Sequence, residues 1–411
     1  MLPHKESHWF KALKENRSKL KNEIEAVSRR SEYWRKSNLE ILERDSDLNA
    51  LPINVDSDLV SFEAPSIILT GSEVLDNRPP EEKSVGLQAF HLKKIISDED
   101  TEFKKYIGTI EKKSQKLVPR PLALENALNA TNGMVLRVEG LNDAPIYIEN
   151  QISISEDNNF LRNFVKLEQG SSLTIVETGN NSFAKNIMSE FSISKGAKLN
   201  YINLTNFNNK SPNIGHIFCD LEEGAKFNYF SLNVNPKASR SEIEVHMSGR
   251  NSTVSISNIC FINKDNHNND ENILINHLAP ECVSRQVLKS VLAGDCNSLV
   301  RGKIFVDAKA QKTDGYQSSR SLLLDNDAKF YCKPELEIYA DDVACSHGST
   351  SGSLDQESLF YLLSRGVSKK ESEQMLIMAF IVEALEEIEN TDLRDSVSEF
   401  LSNRVISSSN E

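Results

Sequence analysis

At 411 residues, with 60 Asp plus Glu against 47 Lys plus Arg, the chain carries a formal charge of −13. That balance excludes a general attraction for nucleic acid or anionic lipid, and the length allows two or three structural units. No window approaches the roughly 18 apolar residues of a membrane span. Six cysteines without a CxxC pair suit a reducing compartment better than a disulfide framework.

The opening "MLPHKESHWFKALKENRSKL" is charged and lacks the apolar run of a signal peptide, so a cytoplasmic protein is expected. Residues 8–45 place Leu, Ile and aromatics at helical spacing among Lys, Glu and Arg, which predicts one or two amphipathic helices. A less regular stretch runs to about residue 120, with a further helix expected within 98–113.

The middle of the chain repeats. "QGSSLTIVET", "KGAKLNYINL", "EGAKFNYFSL" and "SGRNSTVSIS" carry Gly170, Gly196, Gly224 and Gly249, at intervals of 26, 28 and 25 residues. Each glycine opens a short period-two strand, and three are preceded by another strand. Two strands per interval, with no helical pattern between them, predict stacked β-rungs with the glycine at a positive-φ corner. A β-sandwich with irregular hairpins is the alternative.

After Ser351 the pattern turns helical. Asp355 is a plausible N-cap and Gly366 a C-terminal stop; Ser368 and Glu371 form a capping box opening a long helix to about Glu389. Its centre, "MLIMAFIV" (375–382), is apolar all round and needs cover from neighbouring helices or from a partner protein. The expected division is 1–120 helical and irregular, 121–350 β core and 351–411 helical.

The chain has no GxxxxGK[ST], GxGxxG after a strand, HExxH or GxSxG. ATP-driven steps would therefore need another subunit. "YADDVACSHGSTSG" (339–352) holds the most suggestive chemistry, because Cys345 and His347, two residues apart, face one side of an extended strand. Thiolate and imidazole are credible iron–sulfur ligands, but a closed site needs about four. A small buried cysteine and a solvated loop histidine are the plain alternatives. Asp341 and Asp342 are read as capping or ion-pairing groups, and His91, His216, His246 and His277 as structural.

Ordered motifs in 302–372 resemble the SufB/SufD family, most closely SufD. They are Ala310 to Gln317, Leu322 to Leu324, Pro334 to Gly348 and Phe360 to Gly366. "ALENALNATNGMVLRV" and "NDAPIYI" resemble the segment leading into that family's β-helix, so roughly the last two thirds of the chain is covered. Ala344 and Ser349 depart from the common Lys and Ala.

The resemblance implies a right-handed parallel β-helix flanked by helical regions. It also implies a non-catalytic scaffold on which iron–sulfur clusters are built and passed on. The partners implied are a SufB-like paralog and a SufC-like ABC ATPase, with a homodimer possible when the chain is alone. No cofactor is expected to be held stably by the chain itself; a transient iron–sulfur cluster is expected in the complex. His347 would contribute to a cluster site shared with the paralog, with Cys345 beside it. Phe360, Tyr361, Arg365, Met375, Met378 and Phe380 would form or support the ATPase-docking surface. A polysaccharide-processing β-helix enzyme, or a purely structural interaction protein, are the competing readings.

Overall fold

A computed structural model of the chain describes residues 6–23, 33–34, 36–37, 65–79, 86–115, 118–151, 160–178, 186–206 and 213–408. Helix α1 (His8–Glu23) matches the start of the amphipathic pattern. Most of its expected continuation to residue 45 lies outside the described residues. Strands β1 (Ser66–Thr70), β2 (Val74–Asp76) and β3 (Leu87–His91) follow. Then come α2 (Leu92–Ser97), a 3-10 turn at Glu102–Lys105, α3 (Thr109–Gln115) and α4 (Pro121–Asn129). The helix expected within 98–113 is thus a 3-10 turn and a separate short helix, parted at Gly108, whose φ is +79°.

The core is a parallel β-solenoid. Strands β4 (Met134–Val138) and β5 (Leu141–Gln151) begin it, followed by β6 (Phe160–Leu167), β7 (Ser172–Thr178), β8 (Asn186–Ile193) and β9 (Lys198–Asn206). It continues with β10 (Asn213–Leu221), β11 (Lys226–Val234), β12 (Ala238–Met247), β13 (Thr253–Ile262) and β14 (Asn268–His277). The last turns are β15 (Val283–Leu292), β16 (Asn297–Val306), β17 (Thr313–Leu323), β18 (Lys329–Ile338) and β19 (Val343–Gly352). From β4 onward the even strands stack in one sheet, ending at β18, and the odd strands in the other, ending at β19. Consecutive strands therefore alternate between the sheets, which decides against a β-sandwich built from hairpins.

One corner of each turn is held in left-handed backbone. Gly170, Gly196 and Gly224 sit there with φ near +67°, as the repeat predicts, but Gly249 does not. The next corner belongs to Asn251 (φ +57°), then Glu281 (+61°) and Lys312 (+59°). Each corner N–H donates to a carbonyl of the following turn, as from Gly196 to Glu223 and from Glu281 to Gln311. Gly249 is small for another reason: a Cβ there would lie 2.0 Å from the Glu223 nitrogen.

Apolar side chains from both sheets fill the interior, among them Ile175, Phe191, Phe227, Val245 and Ile275. The outer faces are covered as well. On the even-strand sheet, α1 to α4 pack through Phe10, Leu92, Ala123 and Ala127, together with buried ion pairs. Arg162 donates to Glu190 at 2.8 Å, Arg17 to Glu111 at 2.6 Å and Arg120 to Glu244 at 2.9 Å. Trp34 and Ser37 seal the same face around Arg240, whose guanidinium carbon stands 3.6 Å from the Trp34 ring centre.

On the odd-strand sheet lie the C-terminal helices α5 (Gln356–Ser364), α6 (Lys369–Leu385) and α7 (Thr391–Ser408). Asp355 caps α5, the Ser368–Glu371 capping box opens α6, and Gly366 (φ +86°) closes α5, all as expected. The long apolar helix stops at Leu385, and Asn390 accepts from the Leu393 N–H to start α7. Ile377, Ile381, Leu385 and Ile388 pack on Phe230, Ile259, Val287 and their neighbours. Each such buried side chain contributes roughly 1.5–3 kcal/mol, enough to fix the helices on the sheet.

Candidate functional site

Among the described residues, the C-terminal end of the solenoid is open. β18 and β19 are the terminal strands of their sheets, each paired on one side only. Edges of this kind present unpaired N–H and C=O groups that template another strand. Around this end, Tyr331, Ile338 and Tyr339 are exposed, Tyr339 by 61%. Sequence reasoning assigned these residues nothing, because a terminal strand has the same period as an interior one.

Cys345 and His347 lie on β19, in register with Gly315 and Gln317 of β17. The two-residue period puts both on the interior-facing side of the strand. Cys345 packs against Ile304, Val306, Ala310 and Ala340. Its Sγ occupies space left by Gly315, where a Cβ would lie 3.4 Å away. Burial pushes this thiol above its ordinary pKa, partly offset by a backbone hydrogen bond from Gly315. Cys345 is thus half-buried and His347 exposed.

Gln317 was only a letter in a motif at the sequence level. Its side chain is fully buried and crosses the interior to Gly302 on β16, where any Cβ would lie within 2.1 Å of its Nε2. Asp341 and Asp342 are exposed in the bend between β18 and β19. The Asp342 N–H donates to Gln311 Oε1 at 2.9 Å, so this residue helps shape the last turn.

Among the described residues, no group of three or more His, Cys, Asp or Glu is placed to hold a metal ion. Cys345 and His347 have the donor chemistry for iron but amount to part of a ligand set. The four histidines read as structural, His91, His216, His246 and His277, have partners. His91 accepts from Lys93 N at 3.1 Å, and His216 pairs with Glu242 at 3.1 Å. His246 meets Ser114, and His277 meets Ser284. Burial lowers His246 to about 3 and His277 to about 4, keeping both neutral.

The six residues expected at the helical surface divide. Phe360 (72% exposed), Tyr361 and Met375 (53%) project outward, and Arg365 stacks its guanidinium 5.1 Å from the Tyr361 ring. Met378 and Phe380 are half-buried against the odd-strand sheet, with Lys289 4.7 Å from the Phe380 ring. The "MLIMAFIV" helix is therefore covered by its own chain on one face and, among the described residues, uncovered on the other.

Residues 150–380 match the family model described as SUF system FeS cluster assembly, SufBD core domain. The chain is 32% identical over 240 residues to the iron–sulfur cluster assembly protein SufD of Escherichia coli (strain K12), covering 57% of this chain and 56% of that one. It is 30% identical over 242 residues to the chloroplastic protein ABCI7 of Arabidopsis thaliana, covering 57% and 50%. With a SufBD family protein of Mycobacterium leprae it shares 24% over 235 residues, covering 55% and 59%. The chain thus spans about half the length of the curated relatives it matches. With a family match over more than half its length and the solenoid that carries it, the chain belongs to the SufBD core family.

Proposed function

We propose that this chain is a SufD-like scaffold subunit in iron–sulfur cluster assembly. It pairs end to end with a SufB-like paralog through the open β18–β19 end, and His347 supplies one ligand to a cluster site shared between the two chains. The exposed face of α5 and α6 receives a SufC-like ATPase, which performs the ATP hydrolysis for which this chain has no motif. The cluster is cargo, assembled and handed on.

The observation that carries this reading is the position of the Cys345–His347 pair. It stands on the last strand of its sheet, at an end of the solenoid where Tyr331, Ile338 and Tyr339 on or beside β18 are also exposed, and among the described residues it has too few donors for a complete site. Main-chain pairing along such an edge supplies affinity, and a facing chain supplies the missing ligands.

The test is co-expression of this chain with its paralog and ATPase under anaerobic conditions, reading native mass and iron–sulfur absorbance. His347→Ala is expected to lower cluster yield by about tenfold or more while the complex keeps its mass. An unchanged yield refutes the assignment. Phe360→Ser combined with Met375→Ser is expected to release the ATPase and keep the paralog.

A further inference from the structure

Three residues occupy successive turns of one interior column at the open end: Gln286 on β15, Gln317 on β17 and His347 on β19. Lower in the same column the positions are Tyr201, Tyr229 and Ile256, which are aromatic or aliphatic. The interior therefore turns polar just beneath His347. Gln317 is fully buried, and its Nε2 reaches Ser319 Oγ at 3.4 Å while its Oε1 has no partner. Leaving a buried amide oxygen unpaired costs about 1–3 kcal/mol, so its place in the stack needs a reason.

The surroundings fix the amide. It lies flat over Gly302, whose missing side chain makes the room, and Pro334 pairs with Gly302 in the next turn. Pro334 has no N–H to give. In its own column two N–H-bearing side chains stand one strand spacing of roughly 4.8 Å from Gln317, the buried Gln286 below and His347 above, and only His347 lies at the open end.

We infer that Gln317 is the positioning residue for His347: its Oε1 accepts one imidazole N–H, fixing the ring's tautomer and turning the other nitrogen toward the open end. A ligating histidine in metal sites generally gives its second N–H to an acceptor of this kind. The role of His347 as a ligand rests on the proposed function; the tautomer contact with Gln317 does not.

The experiment reads the tautomer directly, by nitrogen NMR of the full chain labelled at histidine, alongside cluster yield in the full complex. In the unsubstituted chain His347 is expected to show one dominant tautomer. Gln317→Met keeps the volume and removes the acceptor, and is expected to return His347 to the mixture of a free histidine. Its cluster yield should fall about tenfold with no change in the mass of the complex. Gln317→Glu retains an acceptor oxygen and should restore both.

Gly302→Ala reaches the same amide from the other side, by pushing it off its seat without altering Gln317, and should also release the tautomer. The inference is overturned if His347 shows the same tautomer ratio in the unsubstituted, Gln317→Met and Gly302→Ala chains. It is equally overturned if His347→Ala abolishes the cluster while Gln317→Met leaves the yield intact. A tautomer shift with no effect of His347→Ala on cluster yield would instead retire the ligand reading and leave the contact standing.

Discussion

Glu271 offers a quantitative test of the solenoid interior. It lies on β14, stacked in register beneath Val300 of the core, with both carboxylate oxygens unpartnered. Burial, with a smaller push from Asp270, raises its pKa from 4.5 to about 8. The folded chain therefore holds this proton more tightly than the unfolded chain does. The resulting stabilisation is complete below pH 4.5 and is lost as the pH rises, until the folded form releases the proton near 8.

Each pH unit in that window removes about 1 kcal/mol or slightly more, so the loss is on the order of 3–4 kcal/mol at pH 7 and 4–5 kcal/mol beyond pH 8. Glu271→Gln keeps the shape and removes the titration. Urea unfolding of both proteins from about pH 4.5 to about pH 9 should show the variant gaining on the parent by these amounts. Parallel curves would refute the reasoning, because they would mean that water reaches Glu271 in the folded state.

Two further sets of substitutions test other parts of the stack. Gly196→Ala meets open space and pays only for left-handed backbone, about 1–2 kcal/mol, whereas Gly249→Ala collides with the main chain of the preceding turn. The second should cost about 3 kcal/mol or more in thermal unfolding, and the reverse order would refute the corner assignment. Arg162→Met strands the buried Glu190 carboxylate and should destabilise the chain by about 3–5 kcal/mol. Adding Glu190→Gln should recover most of that loss in the same assay.

The solenoid was legible where glycine marked its corners, from Gly170 to Gly224, and where strand positions alternated apolar with polar. It faded downstream because Asn251, Glu281 and Lys312 adopt the same left-handed corner without announcing it. In those residues the neighbouring turns, rather than local preference, hold the backbone. The polar interior was hidden for a related reason: Glu271, Gln286 and Gln317 look like outward residues of an alternating strand, yet all three point inward. The pair Cys345 and His347 was visible from chemistry and spacing alone. That they stand at the mouth of the stack depended on counting strands to the end, which only the paired sheets reveal. The exposed side of α6 was half visible, since an all-apolar helix states that it is covered without saying by what.

The unbroken register from β8 to β19 bears on how proteins of this shape change length. An insertion of one residue inside a strand would turn every later side chain of that strand inside out, whereas a whole extra turn leaves each neighbour where it was. Such a chain grows or shrinks in modules, each moving the open end roughly 4.8 Å farther from the N-terminal cover. The number of turns is therefore a molecular ruler, setting how far the terminal Cys345–His347 pair stands from the N-terminal helices.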